Sequence, residues 1–467
     1  MGNITPLFIS YFYPPAGGTG LPGAQRSVKF IRYLQNPEAI YVLSVQPECY
    51  PENVQLNFNL SLPVNGETII RTESQDRFLT AMRLRARLAH MFKKQNSGVP
   101  TEELSESSFS YYGAEADFSL VQRIKDFIFN TYYFPDQIAA PWINPAVQAG
   151  LTIVRKNKIN VIFATGMPWT ALVVGRKISK KTGVPFIADF RDPWLGNPFL
   201  KSKGKFLDWR ERVCERKIVQ EAAIVSANTE PLRKEFVNRY PNIPSDKIIC
   251  LPNGFDPHDF DHISPARYHN KSTSKKLILA HAGFLYGKRD PAPLLKALEL
   301  LCQHHPGLAN MVEFQQIGWV TLEYDIEKRF GALIDKGLVK LLGQLPYDEC
   351  LERLTEVDIL LIIQPGTKTQ VPSKLYDYLC INRPILTITS PDGALGEMIR
   401  ENKFGELFAP EEEQLLMEKL VELSEMKRKD KLMPADYPGR EKFNVLHIAR
   451  QLENKMKQIV GVTAEKK

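Results

Sequence analysis

Four stretches of the chain put cations, carboxylates or glycines where an apolar run gives way to a loop. FIADFRDPW (186–194) runs from an apolar segment into Asp189, Arg191 and Asp192, and closes on Pro193 and Trp194. HAGFLYGKRDPAPLLKAL (281–298) brackets a turn with Gly283 and Gly287, adds Lys288 and Arg289, and starts a helix at Asp290-Pro291. QPGTKTQVPSKLYDYL (364–379) ends a strand and opens a helix at Pro372-Ser373, with Lys374 in its first turn. YPPAGGTGLPGAQR (13–26) contributes Gly17, Gly18 and Gly20, whose tolerance of positive φ lets backbone N–H groups come close to a ligand.

The chemistry these residues suit is the binding of phosphates and the handling of hydroxyls. A lysine in the first turn of a helix opposes the macrodipole, and an anion beside it would offset that cost, so Lys374 points to an anion. Two cations and a helix start at 287–292 suit a diphosphate. Asp377, three residues after Lys374, lies on the same side of the helix, where a carboxylate can accept both hydroxyls of a ribose. SPDGALGEMI (390–399) adds a glycine turn and a helix start with Glu397 in its first two turns. In DFRDPW, Asp189 or Asp192 could orient a hydroxyl or stabilise positive charge developing on a ligand. Arg191 could hold an anionic group or the aspartates themselves, and Trp194 could offer an apolar face to a ligand. The competing reading of DFRDPW is an ion-pair network that pins the strand–loop junction, with Pro193 and Trp194 as packing. Gly18-Thr19-Gly20 followed by Leu21, Pro22 and Gly23 spells GxGxxG. However, Glu48 comes too late and two prolines stiffen the loop, which argues against a dinucleotide.

These residues need strands to carry them. Continuous apolar runs at 6–13, 39–45, 161–166, 186–190, 222–228 and 248–254 read as buried parallel strands, with helical stretches such as 168–183 and 206–222 between them. After a polar, aperiodic stretch, a second series follows at 277–285, 313–319, 339–345, 358–365, 384–389 and 405–408. The expectation is two doubly wound α/β domains in tandem. The first covers 1–257 with an insertion at 73–140, a linker covers 258–276, the second domain covers 277–438, and a C-terminal helix and tail cover 439–467. In such sheets ligands sit outside the C-terminal ends of the strands, so two crevices can face one another. Within the insertion, 97–113 reads as a loop. The stretch 76–95 reads as a basic helix with Phe78, Met82, Ala89 and Phe92 roughly on one face, which either lies on anionic lipid, recognises an acidic acceptor or packs on the domain.

Composition narrows the partners. Among 467 residues, 43% are hydrophobic, 24% are charged and the net charge is +7. That favours anionic ligands or an anionic membrane surface without a nucleic-acid signature. The six cysteines are scattered, with no metal or disulfide spacing. No apolar run approaches the ~20 residues needed to span a bilayer. The first strand begins by residue 6, and Pro6 stands where a myristoylation start takes Ser or Thr, so a cytoplasmic protein is expected. Peripheral contact with the inner face of a membrane stays open.

Five segments in order, YPPAGGTGLPGAQR, DFRDPW, SANTEPLRKEF with LPNGFD, HAGFLYGKRDP, and VPSKLYDYL with DGALGEMI, resemble the GT-B-fold retaining nucleotide-sugar glycosyltransferases that build bacterial surface polysaccharides and glycolipids. The resemblance implies two Rossmann-like domains facing across a cleft and a C-terminal helix that crosses back to the first. It implies a nucleotide-sugar donor and a saccharide or lipid-linked acceptor, and with two cations to meet the diphosphate no metal or other cofactor is expected. By resemblance, Gly17 and Gly18 approach the donor phosphates, Arg289 and Lys374 neutralise the diphosphate, and Asp377 holds the ribose. Gly283, Lys288, Ser373 and Glu397 complete the expected donor set, and Asp189, Arg191 and Asp192 the acceptor side. Many members carry a further glutamate eight positions before the ribose carboxylate, where this chain has Thr369. A sugar-nucleotide epimerase of the same shape and a non-catalytic partner subunit with a degenerate donor site are the alternatives.

Overall fold

The computed structural model describes residues 3–16, 22–51, 54, 56, 62–76, 120–197, 200, 202–263, 274–287, 289–366 and 369–465. The stretches 77–95 and 97–113, read above as basic helix and loop, lie outside them.

Every apolar run expected as a strand forms one, and the strands build two parallel sheets. The first contains β1 (Pro6–Ile9), β2 (Tyr41–Val45), β3 (Thr68–Thr72), β4 (Val161–Gly166), β5 (Phe186–Phe190), β6 (Ile224–Ala227) and β7 (Ile248–Cys250), in spatial order β3-β2-β1-β4-β5-β6-β7. Sequence reasoning missed β3, a half-buried edge strand whose TIIRT carries only two large apolar residues. The second domain contributes β8 (Leu277–Ala282), β9 (Leu285–Tyr286), β10 (Val312–Ile317), β11 (Val320–Thr321), β12 (Val339–Gly343), β13 (Ile359–Gln364), β14 (Ile385–Thr389) and β15 (Glu406–Phe408). Its main sheet runs β12-β10-β8-β13-β14-β15, while β9 and β11 pair as a small ribbon. Both orders reverse direction once, at β1/β4 and at β8/β13, and these reversals open the crevices in which doubly wound sheets take ligands.

The period of two along a strand divides each core. Leu7 and Ile9 of β1 face the cluster under helices Ile143–Lys156 and Thr170–Thr182, whereas Phe8 faces the opposite layer. That opposite layer is completed by the helix Val445–Glu465, whose Val445, Ile448, Ala449, Leu452 and Met456 pack with Phe8, Val42, Phe163 and Ile187. The C-terminal helix therefore crosses back to the first domain. Glu453 accepts from the backbone N–H groups of Gln35 (2.9 Å) and Asn36 (3.4 Å), just beyond the helix Pro22–Arg32. The crossing starts at Phe255, whose N–H donates to the Phe443 carbonyl while its own carbonyl accepts from Val445. Gly254 is required there, because a Cβ would stand 2.3 Å from the Phe443 oxygen. Of the described linker residues, Phe260 and Ile263 are buried in the second domain's core. No described helix is long and apolar enough to cross a membrane.

Candidate active site

The two crevices form one interdomain cleft of about 370 Å3. From the second domain come Gly283, Arg289, Gln364, Ser373, Lys374 and Asp377, and from the first Arg26, Lys29, Arg191, Asp192 and Asn228.

Lys374 opens the helix Lys374–Ile381, directly after the loop that leaves β13. Its Nζ is 2.6 Å from His281 Nε2, on β8. The orientation of this contact can be derived. The Gln316 amide, on β10, donates to the carbonyls of Gly283 (2.7 Å) and Gly318 (3.3 Å), so its Oε1 is an acceptor and His281 Nδ1, at 2.8 Å, carries the proton. The lone pair of His281 Nε2 is then free to accept from Lys374. Burial, reinforced by the Lys374 charge, pushes the His281 pKa well below its usual value and keeps the ring neutral. Burial and the nearby Arg289 likewise lower Lys374 well below an ordinary lysine. An anion in the cleft would reverse that penalty. Gly283 makes room, with φ +121° and a virtual Cβ 2.7 Å from Lys374 Nζ.

Arg289 stacks over Tyr286 at 5.1 Å and reaches Gln364 Oε1 at 3.4 Å, while its Nε is buried without a partner among the described residues. Asp377 accepts from the Tyr347 hydroxyl at 3.3 Å. Burial raises its carboxyl to about 6, against the opposing pull of Lys29 from the first domain. Lys29 itself pairs with Asp259 at 2.6 Å.

On the first domain the DFRDPW residues part company. Asp189 is fully buried and does not line the cleft. Arg26 holds it through Nε and Nη2, both at 2.9 Å, and the hydroxyls of Ser226 (2.5 Å) and Thr165 (2.7 Å) complete its shell. Burial alone would raise this carboxyl, but Arg26 and the hydroxyls outweigh it and hold it below its usual range. The expected catalytic role for Asp189 is therefore corrected to a structural one, since its oxygens are already occupied. Asp192 and Arg191 do line the cleft. Asp192 accepts from Gln370 Nε2 of the second domain at 3.3 Å. Arg191 donates to the Met167 carbonyl at 3.1 Å, and its Nη1 is buried without a partner among the described residues. Trp194 is also corrected: it stacks on Trp169 at 5.3 Å, is 2% exposed and presents no face to a sugar.

Ser373 and Gly283 line the cleft, but Glu397 does not. It stands exposed on the helix Ala394–Asn402, whose Ala394, Leu395 and Gly396 turn inward, so its expected donor contact is withdrawn. Gly17, Gly18 and Lys288 lie outside the described residues. Thr369 accepts at its backbone carbonyl from the Thr229 hydroxyl (3.0 Å), a bridge between the domains. Sequence reasoning missed Arg26, Lys29, Asn228 and Gln370. Arg26 closes the glycine-rich stretch quoted above, and Lys29 follows it at i+3, the spacing that puts two side chains on one helix face.

Residues 129–254 match the model of the glycosyl transferase 4-like domain family. A comparison with curated protein sequences returns no match. Among solved structures, the chain resembles the sucrose-phosphate synthase of Thermosynechococcus elongatus at 13% identity and TM-score 0.57, covering 98% of this chain and 100% of that one. It also resembles the N-terminal domain of Candida albicans trehalose-6-phosphate phosphatase (11%, 0.58, covering 98% and 97%). A third is WaaG, a glycosyltransferase involved in lipopolysaccharide biosynthesis (13%, 0.53, covering 97% and 99%). The fold is thus the two-domain α/β arrangement of the GT-B glycosyltransferases, and the family match supports glycosyltransferase chemistry of that type.

Proposed function

We propose that this protein moves a sugar from a nucleoside-diphosphate donor to a hydroxyl of a saccharide or lipid-linked acceptor, in polysaccharide or glycolipid biosynthesis. The observation that carries the reading is the Lys374–His281–Gln316 chain, which holds the half-buried Lys374 Nζ at the mouth of the second crevice opposite Arg191 and Asp192. As the anomeric C–O bond to the diphosphate breaks through an oxocarbenium-like state, negative charge builds on the departing phosphate. In this scheme Lys374 and Arg289 meet it. Asp192 is the carboxylate of DFRDPW that lines the cleft, and it orients the acceptor hydroxyl. Asp377 holds the ribose, and Gly17, Gly18, Gly283, Ser373 and Lys288 complete the donor contacts. Retention of anomeric configuration is carried over from the resemblance, and has the acceptor oxygen bond to the anomeric carbon from the face the phosphate leaves, its proton passing to the departing phosphate oxygen. No metal or other cofactor takes part in this scheme. The protein works in the cytoplasm, against the inner face of a membrane when its acceptor is lipid-linked.

The test is a melting-temperature panel with UDP, GDP, ADP and CMP and their common sugar conjugates, on wild type and Lys374→Ala. One nucleotide should stabilise the native protein by mass action, and the variant should lose most of that shift. No shift at millimolar ligand, or one that survives in Lys374→Ala, would overturn the assignment of the donor site.

A further inference from the structure

Beside the cleft lies a second cavity of about 480 Å3, built from the first domain alone. Asn197 and Leu200 line both spaces, so the two share a wall. Its positive charge comes from three arginines, Arg212, Arg216 and Arg239. Arg239 is engaged, paired with Glu215 at 2.8 Å and with Glu235. Arg212 and Arg216 stand one turn apart on the helix Lys205–Glu221, exposed and with no hydrogen bond or ion pair among the described residues.

The carboxylates in the wall are already used. Asp208 accepts from the Ser202 hydroxyl (2.6 Å) and the Lys203 N–H (3.1 Å), and Glu211 accepts from Lys203 Nζ (2.9 Å). What remains unspent is two guanidinium groups. Trp194 supplies an independent sign: it forms part of this wall, and its buried indole N–H has no partner among the described residues.

We infer that this cavity is an acceptor subsite for a phosphate ester. The inference rests on the glycosyltransferase reading and deepens it: the acceptor carries a phosphate that Arg212 and Arg216 grip while its hydroxyl extends past Asn197 into the cleft. Arginine forks suit phosphate because two parallel N–H bonds match two of its oxygens. The phosphate has two possible carriers, a soluble sugar phosphate or a lipid. Trp209 and Phe206, on the same helix, are 55% and 49% exposed, and Phe206 lies 5.7 Å from Phe127. Trp209 precedes Arg212 by three residues and so adjoins it, giving the arginines an apolar neighbour that suits a lipid carrier.

The experiment has two arms, each run on wild type and on Arg212→Ala/Arg216→Ala. In the first, glucose 6-phosphate is compared with glucose by melting temperature. In the second, flotation compares vesicles of phosphatidylcholine with vesicles containing phosphatidylglycerol. Phosphate-dependent binding in either arm, weakened about tenfold or more in the double variant, supports the subsite, and the responding arm names the carrier. Absence of binding in both arms, or binding that survives the double substitution, overturns it. The nucleotide panel above is run on the same preparations. A nucleotide shift without phosphate binding sinks the subsite alone, whereas failure of both sinks the glycosyltransferase reading too.

Discussion

Gly283→Ala tests whether the Lys374 ammonium stands where a donor phosphate would bind. At φ +121° the added Cβ would fall 2.7 Å from Nζ and 3.3 Å from Cε of that lysine. Two costs to stability follow. A side chain in that backbone region costs roughly 1–3 kcal/mol. The lysine must also swing off His281, giving up a hydrogen bond worth ~0.5–1.5 kcal/mol. For ligand binding, the displaced ammonium forfeits one charge-assisted contact of ~1.5–3 kcal/mol, or roughly 10–150-fold in Kd. Titration calorimetry on wild type, Gly283→Ala, Lys374→Ala and the double variant, with the nucleotide that responds in the melting panel, reads this directly. Both substitutions remove the same contact, so the double variant should bind within about twofold of Lys374→Ala alone. A Gly283→Ala protein that keeps wild-type affinity while Lys374→Ala loses it would refute the reasoning. So would losses that simply add.

Asp189→Ala leaves Arg26 buried without its counter-charge and should cost ~3–5 kcal/mol in the urea unfolding of the first domain. A change under about 1 kcal/mol would contradict its structural role. Asp377 gives a pH signature: with its carboxyl raised to about 6, its contribution to stability is fully present below the unfolded value near 3.8 and is lost as pH rises through about 6. Relative to Asp377→Asn, wild type should therefore lose roughly 2–2.5 kcal/mol between pH 4 and 7. A flat difference across that range would show that the carboxyl is not held in this environment.

Most of the fold was legible because parallel strands buried on both faces are written as unbroken apolar runs, as in VIFATG and ILLIIQ. The exceptions are β3, an edge strand with little to bury, and the two-residue β11, and their sequences carry correspondingly little signal. Placement in the cleft was legible where one helix or turn holds the pattern, as with Lys374, Asp377 and Gly283. It failed where a partner is distant in the chain. Asp189 stands at a strand end as a catalytic carboxylate would, yet Arg26, 163 residues earlier, claims it. Glu397 was read from its nearness to a helix start, which says nothing about which face of the helix meets the cleft. The His281–Gln316–Lys374 chain joins three elements from three separate stretches, and no local spacing announces it.

The crossing of the C-terminal helix has a consequence for the order of synthesis. The sheet face bearing Phe8, Val42, Phe163 and Ile187 is covered by a helix that begins at Val445. All seven strands of that sheet have been made by residue 250. At 5–20 residues per second the intervening roughly 200 residues take roughly 10–40 s to add. Throughout that interval the apolar part of that face not covered by the helix Pro22–Arg32 stays open on the ribosome, a place where a chaperone can dock or aggregation can start.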